Sequence, residues 1–107
     1  MTSKMIKIAE DFSSTPAGRY REDGPFPGEV FRDEILVPAL AAYDEVCVDL
    51  SGVEGFGSSF LEEAFGGLVR LHHITKEAAL KKIKIITDDP ALEFEIKGYL
   101  SAEYQTT

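Results

Sequence analysis

Between Val46 and Gly67 the chain passes from an almost entirely apolar pentapeptide into a glycine-rich turn and then into a patterned helix, an order that few architectures accommodate. Val46, Cys47, Val48, Asp49 and Leu50 are short and rich in β-branched residues, the pattern of a strand covered on both faces in the middle of a sheet. The following SGVEGFG places three glycines in seven residues, so the backbone can turn sharply before a helix begins. Ser59 with Glu62 three positions later fits a capping box, and Leu61, Ala64, Phe65, Leu68 and Leu71 or His72 supply a buried stripe. Gly66 and Gly67 cost such a helix about 1 kcal/mol each relative to Ala, which predicts a close neighbour at that point.

The flanking segments extend the alternation of strands and helices. Lys4 to Ala9 reads as a first strand, Ser13 to Pro16 as a turn, and Gly18 to Arg21 as a second short strand closing a hairpin. Two Gly and two Pro within Glu22 to Gly28 require a loop. From Glu29, residues Val30, Phe31, Ile35, Leu36, Ala39 and Leu40 approximate helical spacing, and Pro38 predicts a kink or a split into two segments. Thr75 to Lys81 reads as a charged connection and Lys82 to Thr87 as a strand near a sheet edge, with one wetter face. Asp89 as N-cap and Pro90 as first helical residue begin a last helix with the stripe Leu92, Ile96, Tyr99, Leu100 and Tyr104, and Thr106 and Thr107 are expected to fray. These elements predict an α/β fold, a small single-domain sandwich over residues 1–107. Its mixed sheet would have about four strands, with helices packed on it through right-handed connections.

Composition limits what such a domain can do. A chain of 107 residues with 44% hydrophobic residues and a formal net charge of −8 is foldable and strongly acidic, which disfavours nucleic acid and anionic membranes as partners. The lone Cys47 cannot form an internal disulfide and is expected to be a buried, inert thiol. Met1 to Met5 lack the apolar run of a secretory signal, and no stretch approaches the roughly 20 apolar residues of a membrane helix, so a cytoplasmic location is expected. Glu62 and Glu63 suggest acid and base work, but adjacent helical residues point about 100° apart and do not converge easily on one substrate. The same geometry disqualifies His72 and His73 as a metal pair, leaving His72 as a partly buried helix residue. Lys81, Lys82 and Lys84 lack interleaved aromatics and read as a solvated strand face, and no phosphate-loop or dinucleotide fingerprint is present. No catalytic residue, metal or cofactor is therefore expected.

Two features remain as candidate sites. Ser58 and Ser59 open a helix where unpaired N–H groups and the helix dipole favour negative charge, so each is a candidate for phosphorylation, the plainer alternative being that Ser59 caps the helix and Ser58 fills the turn. The loop Gly18, Arg19, Tyr20, Arg21, Glu22, Asp23, Gly24, Pro25 places two arginines around a tyrosine. It is either an anion clamp or a segment that neutralises acidic neighbours.

The run Val48, Asp49, Leu50, Ser51, Gly52, Val53 followed by paired serines opening a helix resembles the STAS domain, the fold of bacterial anti-sigma factor antagonists. In that family the strand leads to Asp-Ser-Ser or Asp-Ser-Thr followed by Gly, and a serine there is phosphorylated by a partner switch kinase of the histidine-kinase-like ATPase class. Ser58 and Ser59 fall on the two hydroxyl positions, whereas Gly57 stands in place of the Asp and Phe60 in place of the Gly. The longer pattern GRYREDGP, GEVFR and SSFLEEAFGG resembles a divergent STAS-like family of uncharacterised function, over roughly Ile6 to Arg70. The resemblance implies a non-enzymatic regulatory module that docks a histidine-kinase-like ATPase or an anti-sigma-type regulator through Gly57 to Glu63. Interaction would fall to Arg19, Tyr20, Arg21, Gly57, Phe60 and Glu63. The competing reading is a small anion- or nucleotide-binding protein or enzyme that uses the Gly-Arg-Tyr-Arg loop and the serine turn.

Overall fold

The computed structural model describes residues 1–102. Three strands, Ser3–Lys7 (β1), Glu45–Asp49 (β2) and Ile83–Ile86 (β3), form a parallel sheet in the order β1-β2-β3. The sheet is thus smaller than the expected four strands and is parallel rather than mixed. The register aligns Lys4, Val46 and Ile83 in one row and Ile6, Val48 and Ile85 in the next. Ile6, Val46, Val48 and Ile83 are buried with Phe31, Leu36, Phe60 and Phe65 in one core. Right-handed crossovers that step in the same direction deliver their helices to the same side of a sheet. The opposite row of Met5, Cys47 and Lys84 is accordingly open, with Met5 45% exposed and Cys47 half-buried. β2 is central as expected but covered on one face only; the alternation of Glu45, Cys47 and Asp49 with the two valines marks that uncovered face.

The expected hairpin strand at Gly18 to Arg21 is absent. Gly18 takes φ 93°, and Arg21–Asp23 form a 3-10 turn in which the Asp23 carboxylate accepts from the N–H groups of Arg19 and Tyr20 at 3.0 and 2.8 Å. A side chain that satisfies the backbone locally removes the need for a ladder partner. The turn is pinned to the next helix, because the N–H groups of Gly28 and Glu29 donate to the carbonyls of Gly18 and Arg19.

That helix, α1, spans 28–42 and runs through Pro38 without a break. Its adaptation is a π-helical segment at Arg32–Leu36, where the Val37 N–H reaches the Arg32 carbonyl. The next helix, α2, spans 58–70 and carries a second π-helical segment at Glu62–Gly66. α1 and α2 meet at two glycines: a Cβ on Gly28 would lie 2.5 Å from the Phe60 carbonyl oxygen, which excludes a side chain, and one on Gly67 would lie 2.6 Å from Arg32 Nη1, which would have to shift. The close approach predicted from Gly66 and Gly67 is found at Gly67.

α2 ends in a Schellman motif, with the N–H groups of His72 and His73 donating to the carbonyls of Val69 and Leu68. His72 is left-handed, φ 61°, and exposed, so it is a helix terminator rather than a partly buried helix residue. Because a side chain pays a penalty for this conformation, His72→Gly is expected to raise stability by about 1 kcal/mol. Thermal unfolding of the two proteins checks it.

Thr75 accepts from the Ala78 N–H and starts helix α3, Lys76–Lys82, in place of the expected charged connection. Lys82 therefore ends a helix instead of beginning a strand, and its Nζ donates to the Leu40 carbonyl in the last turn of α1. β3 lies at a sheet edge, as expected. The last helix, α4 (Pro90–Ser101), begins as predicted, with Asp89 Oδ1 accepting from the N–H groups of Ala91 and Leu92. Ile96 and Leu100 are buried in it, while Tyr104, Thr106 and Thr107 lie outside the described residues. No helix among the described residues is long and apolar enough to cross a membrane.

Candidate functional site

Ser58 and Ser59 are the first two residues of α2 and both are exposed. Gly57 occupies the N-cap position with extended backbone, and no side chain caps the helix. The expected capping box is not formed: the helix begins two residues earlier than that motif requires, and the Glu62 carboxylate is drawn sideways to Arg19 and Arg70. Ser59→Ala is consequently expected to change the unfolding free energy by less than about 0.5 kcal/mol, as at an ordinary surface position. A urea titration that finds a cost near 1 kcal/mol, the usual value of a cap, contradicts this assignment.

The two serines differ in their surroundings. Tyr99 of α4 donates to Glu95 Oε2 at 2.7 Å, and its ionisation is held above the usual phenol range by that bond first and by burial second. Ser58 lies against the same phenol and acts on it in the opposite direction, and Glu62 adds negative charge nearby. A phosphate on Ser58 would thus meet two carboxylates. Ser59 has no such neighbour among the interactions described.

Phe60 and Glu63, expected on the interacting surface, are buried. Phe60 packs with Phe12, Phe31 and Phe56 at ring separations of 6.2, 5.9 and 6.1 Å, so it anchors the serine turn from beneath. Glu63 is 3% exposed and forms the centre of an ion network. It pairs with Arg32, itself 3% exposed, with Arg70 Nη2 at 2.9 Å and with Arg19 Nη1 at 3.2 Å. Glu62 is shared by Arg19 and Arg70, and Arg32 also donates to Asp33 Oδ1 at 2.8 Å and to the Glu63 carbonyl at 3.2 Å. Three cations thus face three carboxylates, joining the 18–20 loop, α1 and α2 where the two π-helical segments meet.

The arginines of the loop are both engaged by carboxylates of the same chain. Arg19 turns inward to Glu62 and Glu63, and the bond to Glu62 is the main cause of its raised pKa. Arg21 turns to α1, at 2.8 Å from Glu34 and 3.9 Å from Asp33. Tyr20 between them is 46% exposed.

Arg32 and Arg70 were not singled out by the sequence reading, although one signal marks the first. Arg32 stands four and seven positions before Leu36 and Ala39, on the buried stripe of α1, where a charge needs a buried partner.

An open cleft of about 840 Å³ lies beyond the carboxyl ends of β2 and β3, lined in part by Asp49, Ser51, Phe56, Asp88 and Leu92. The Asp49 carboxylate accepts from the Ser51 N–H and hydroxyl, at 2.9 and 2.7 Å, and these bonds hold its pKa below the usual carboxylate range. Among the described residues no group of three His, Cys, Asp or Glu side chains is placed to hold a metal ion. The Cys47 thiol is pushed up, first by burial and then by Glu45, which favours the unreactive thiol.

A family model described as a STAS-like domain of unknown function (DUF4325) matches residues 27–93, from the start of α1 into α4. The match includes the serine turn and excludes the Gly-Arg-Tyr-Arg loop. No curated protein and no solved structure matches the chain.

Proposed function

The chain belongs to the STAS-like family of unknown function, and from that membership together with the exposed serine turn we propose that it is a non-enzymatic regulatory module that docks a protein partner in the cytoplasm. The docking face is the Gly57-Ser58-Ser59 turn at the start of α2. The observation that carries this reading is that both hydroxyls are exposed at a helix start and neither caps it. Both are spared the duty of capping, and Ser59 is also clear of the Tyr99 phenol that Ser58 lies against, on a turn anchored by the buried ring of Phe60.

Ser59 is the preferred switch. Its hydroxyl oxygen bonds to the γ-phosphorus of a nucleoside triphosphate held by the partner, a histidine-kinase-like ATPase or an anti-sigma-type regulator; the bond from that phosphorus to the β,γ-bridging oxygen breaks, the nucleoside diphosphate leaves, and the hydroxyl proton is released. The phosphate adds a charge of about −1.5 to −2 at the positive end of a helix, where it is tolerated by the fold, and it introduces repulsion and desolvation into the interface. The competing small-anion reading has less support, because Arg19 and Arg21 are both engaged by carboxylates of the same chain.

Phosphopeptide mapping of the chain isolated from its native cells tests the proposal. Modification at Ser59 in excess of Ser58 is the expected result. Phosphate found only elsewhere on the chain, or none under any growth condition, argues for an unswitched module.

A further inference from the structure

β1 is an outer strand, and its free edge is flanked by a groove. The Thr2 carbonyl accepts from the N–H groups of Asp44 and Glu45, at 3.0 Å each, which turns the peptide groups of the even-numbered residues toward β2. Ser3, Met5 and Lys7 therefore direct theirs outward, since successive residues of a strand alternate sides. The Lys7 N–H is occupied by Asp11 Oδ2 at 2.8 Å. Ser3 and Met5 retain an open edge. Beside it, between β1 and α1, runs a groove of about 390 Å³ lined by Lys4, Ile6, Asp11, Glu34, Ile35 and Tyr43.

We propose that this edge is a self-association surface, on which a second copy of the chain pairs its β1 antiparallel to the first, centred on Met5, to form a continuous six-stranded sheet. A two-fold interface must be complementary to itself. With Met5 opposite Met5 of the other copy, Lys4 of one copy comes opposite Ile6 of the other, at the groove that Asp11 and Glu34 also line. An ammonium thus meets carboxylates twice, once on each side of the axis. The two Met5 side chains, each 45% exposed, cover one another on the uncovered sheet face. The Asp11 cap on Lys7 ends the ladder and so fixes the register against sliding.

Sedimentation velocity of the whole chain over a concentration series tests this, together with two substitutions and a control. Proline is tolerated on an edge strand where the N–H faces outward, so Met5→Pro is expected to keep the circular dichroism spectrum. The expected result is a reversible dimer whose dissociation constant rises about tenfold or more in Met5→Pro and in Lys4→Glu. It should return toward the original value when Lys4→Glu is combined with Glu34→Lys, and Phe94→Glu, on the exposed side of α4, should leave it unchanged. Should Met5→Pro unfold, the charge-reversal pair decides alone. A chain that is monomeric at every concentration overturns the proposal and leaves the edge to an extended segment of a different protein. A dimer indifferent to the β1 substitutions overturns it as well, since the copies would then meet elsewhere.

Discussion

Glu63→Leu is expected to lower the unfolding free energy by about 3–5 kcal/mol, because it leaves the Arg32 guanidinium buried without its buried carboxylate partner. Arginine cannot shed its charge to escape this, as a buried lysine can. The bond to the half-buried Asp33 carboxylate and the bond to the Glu63 carbonyl remain, and they offset the lost buried charge only in part. Removing the other partner should cost less, about 1.5–3 kcal/mol for Arg32→Met, since Glu63 keeps Arg19 and Arg70. The double variant should recover part of the loss, because an apolar pair is no worse than an intact buried ion pair. Urea unfolding of the four proteins separates these cases, and a Glu63→Leu cost below about 1 kcal/mol would place the pair in water.

A loss of similar size is expected from Phe31→Ala, about 3–5 kcal/mol by calorimetry or urea. Phe31 is fully buried, and its ring lies 5.2, 5.9 and 6.3 Å from those of Phe12, Phe60 and Phe65. Truncation leaves a void where α1 crosses α2, and Gly28 against the Phe60 carbonyl leaves the two helices no closer distance to adopt. Phe31→Leu, which keeps most of the volume, should cost about 1.5 kcal/mol or less. If Ala and Leu at this position cost the same, the aromatic cluster is not closely packed.

What the sequence disclosed were the features encoded within one or two turns of chain. Val46 and Val48 identified the central strand, Asp89-Pro90 identified the start of α4, and the paired serines at a helix start carried the resemblance to the STAS-like family. Features decided by distant residues were not legible. The capping box failed because Glu62 is claimed by Arg19, 43 positions away in the chain. The hairpin failed because Asp23 closes the loop on itself, and the choice between the two readings of the loop arginines turned on carboxylates that lie on two different helices. The uncovered face of β2 was hidden by Cys47, whose apolar character completed a run that looked buried on both sides. Phe60 and Glu63 are near Ser59 in the chain but not on its face, because helical periodicity turns the ring of Phe60 and the carboxylate of Glu63 inward.

The central claim is that the outward-facing Ser59 hydroxyl governs docking while the arginine–glutamate network only holds the turn in place. Its most direct test is a titration of the partner recovered by affinity purification against the wild-type chain, Ser59→Asp and Ser59→Ala. Ser59→Asp is expected to remain folded and to bind about tenfold or more weakly, a difference of about 1.4 kcal/mol, with Ser59→Ala close to wild type. Equal affinity of all three proteins for the partner would contradict the account.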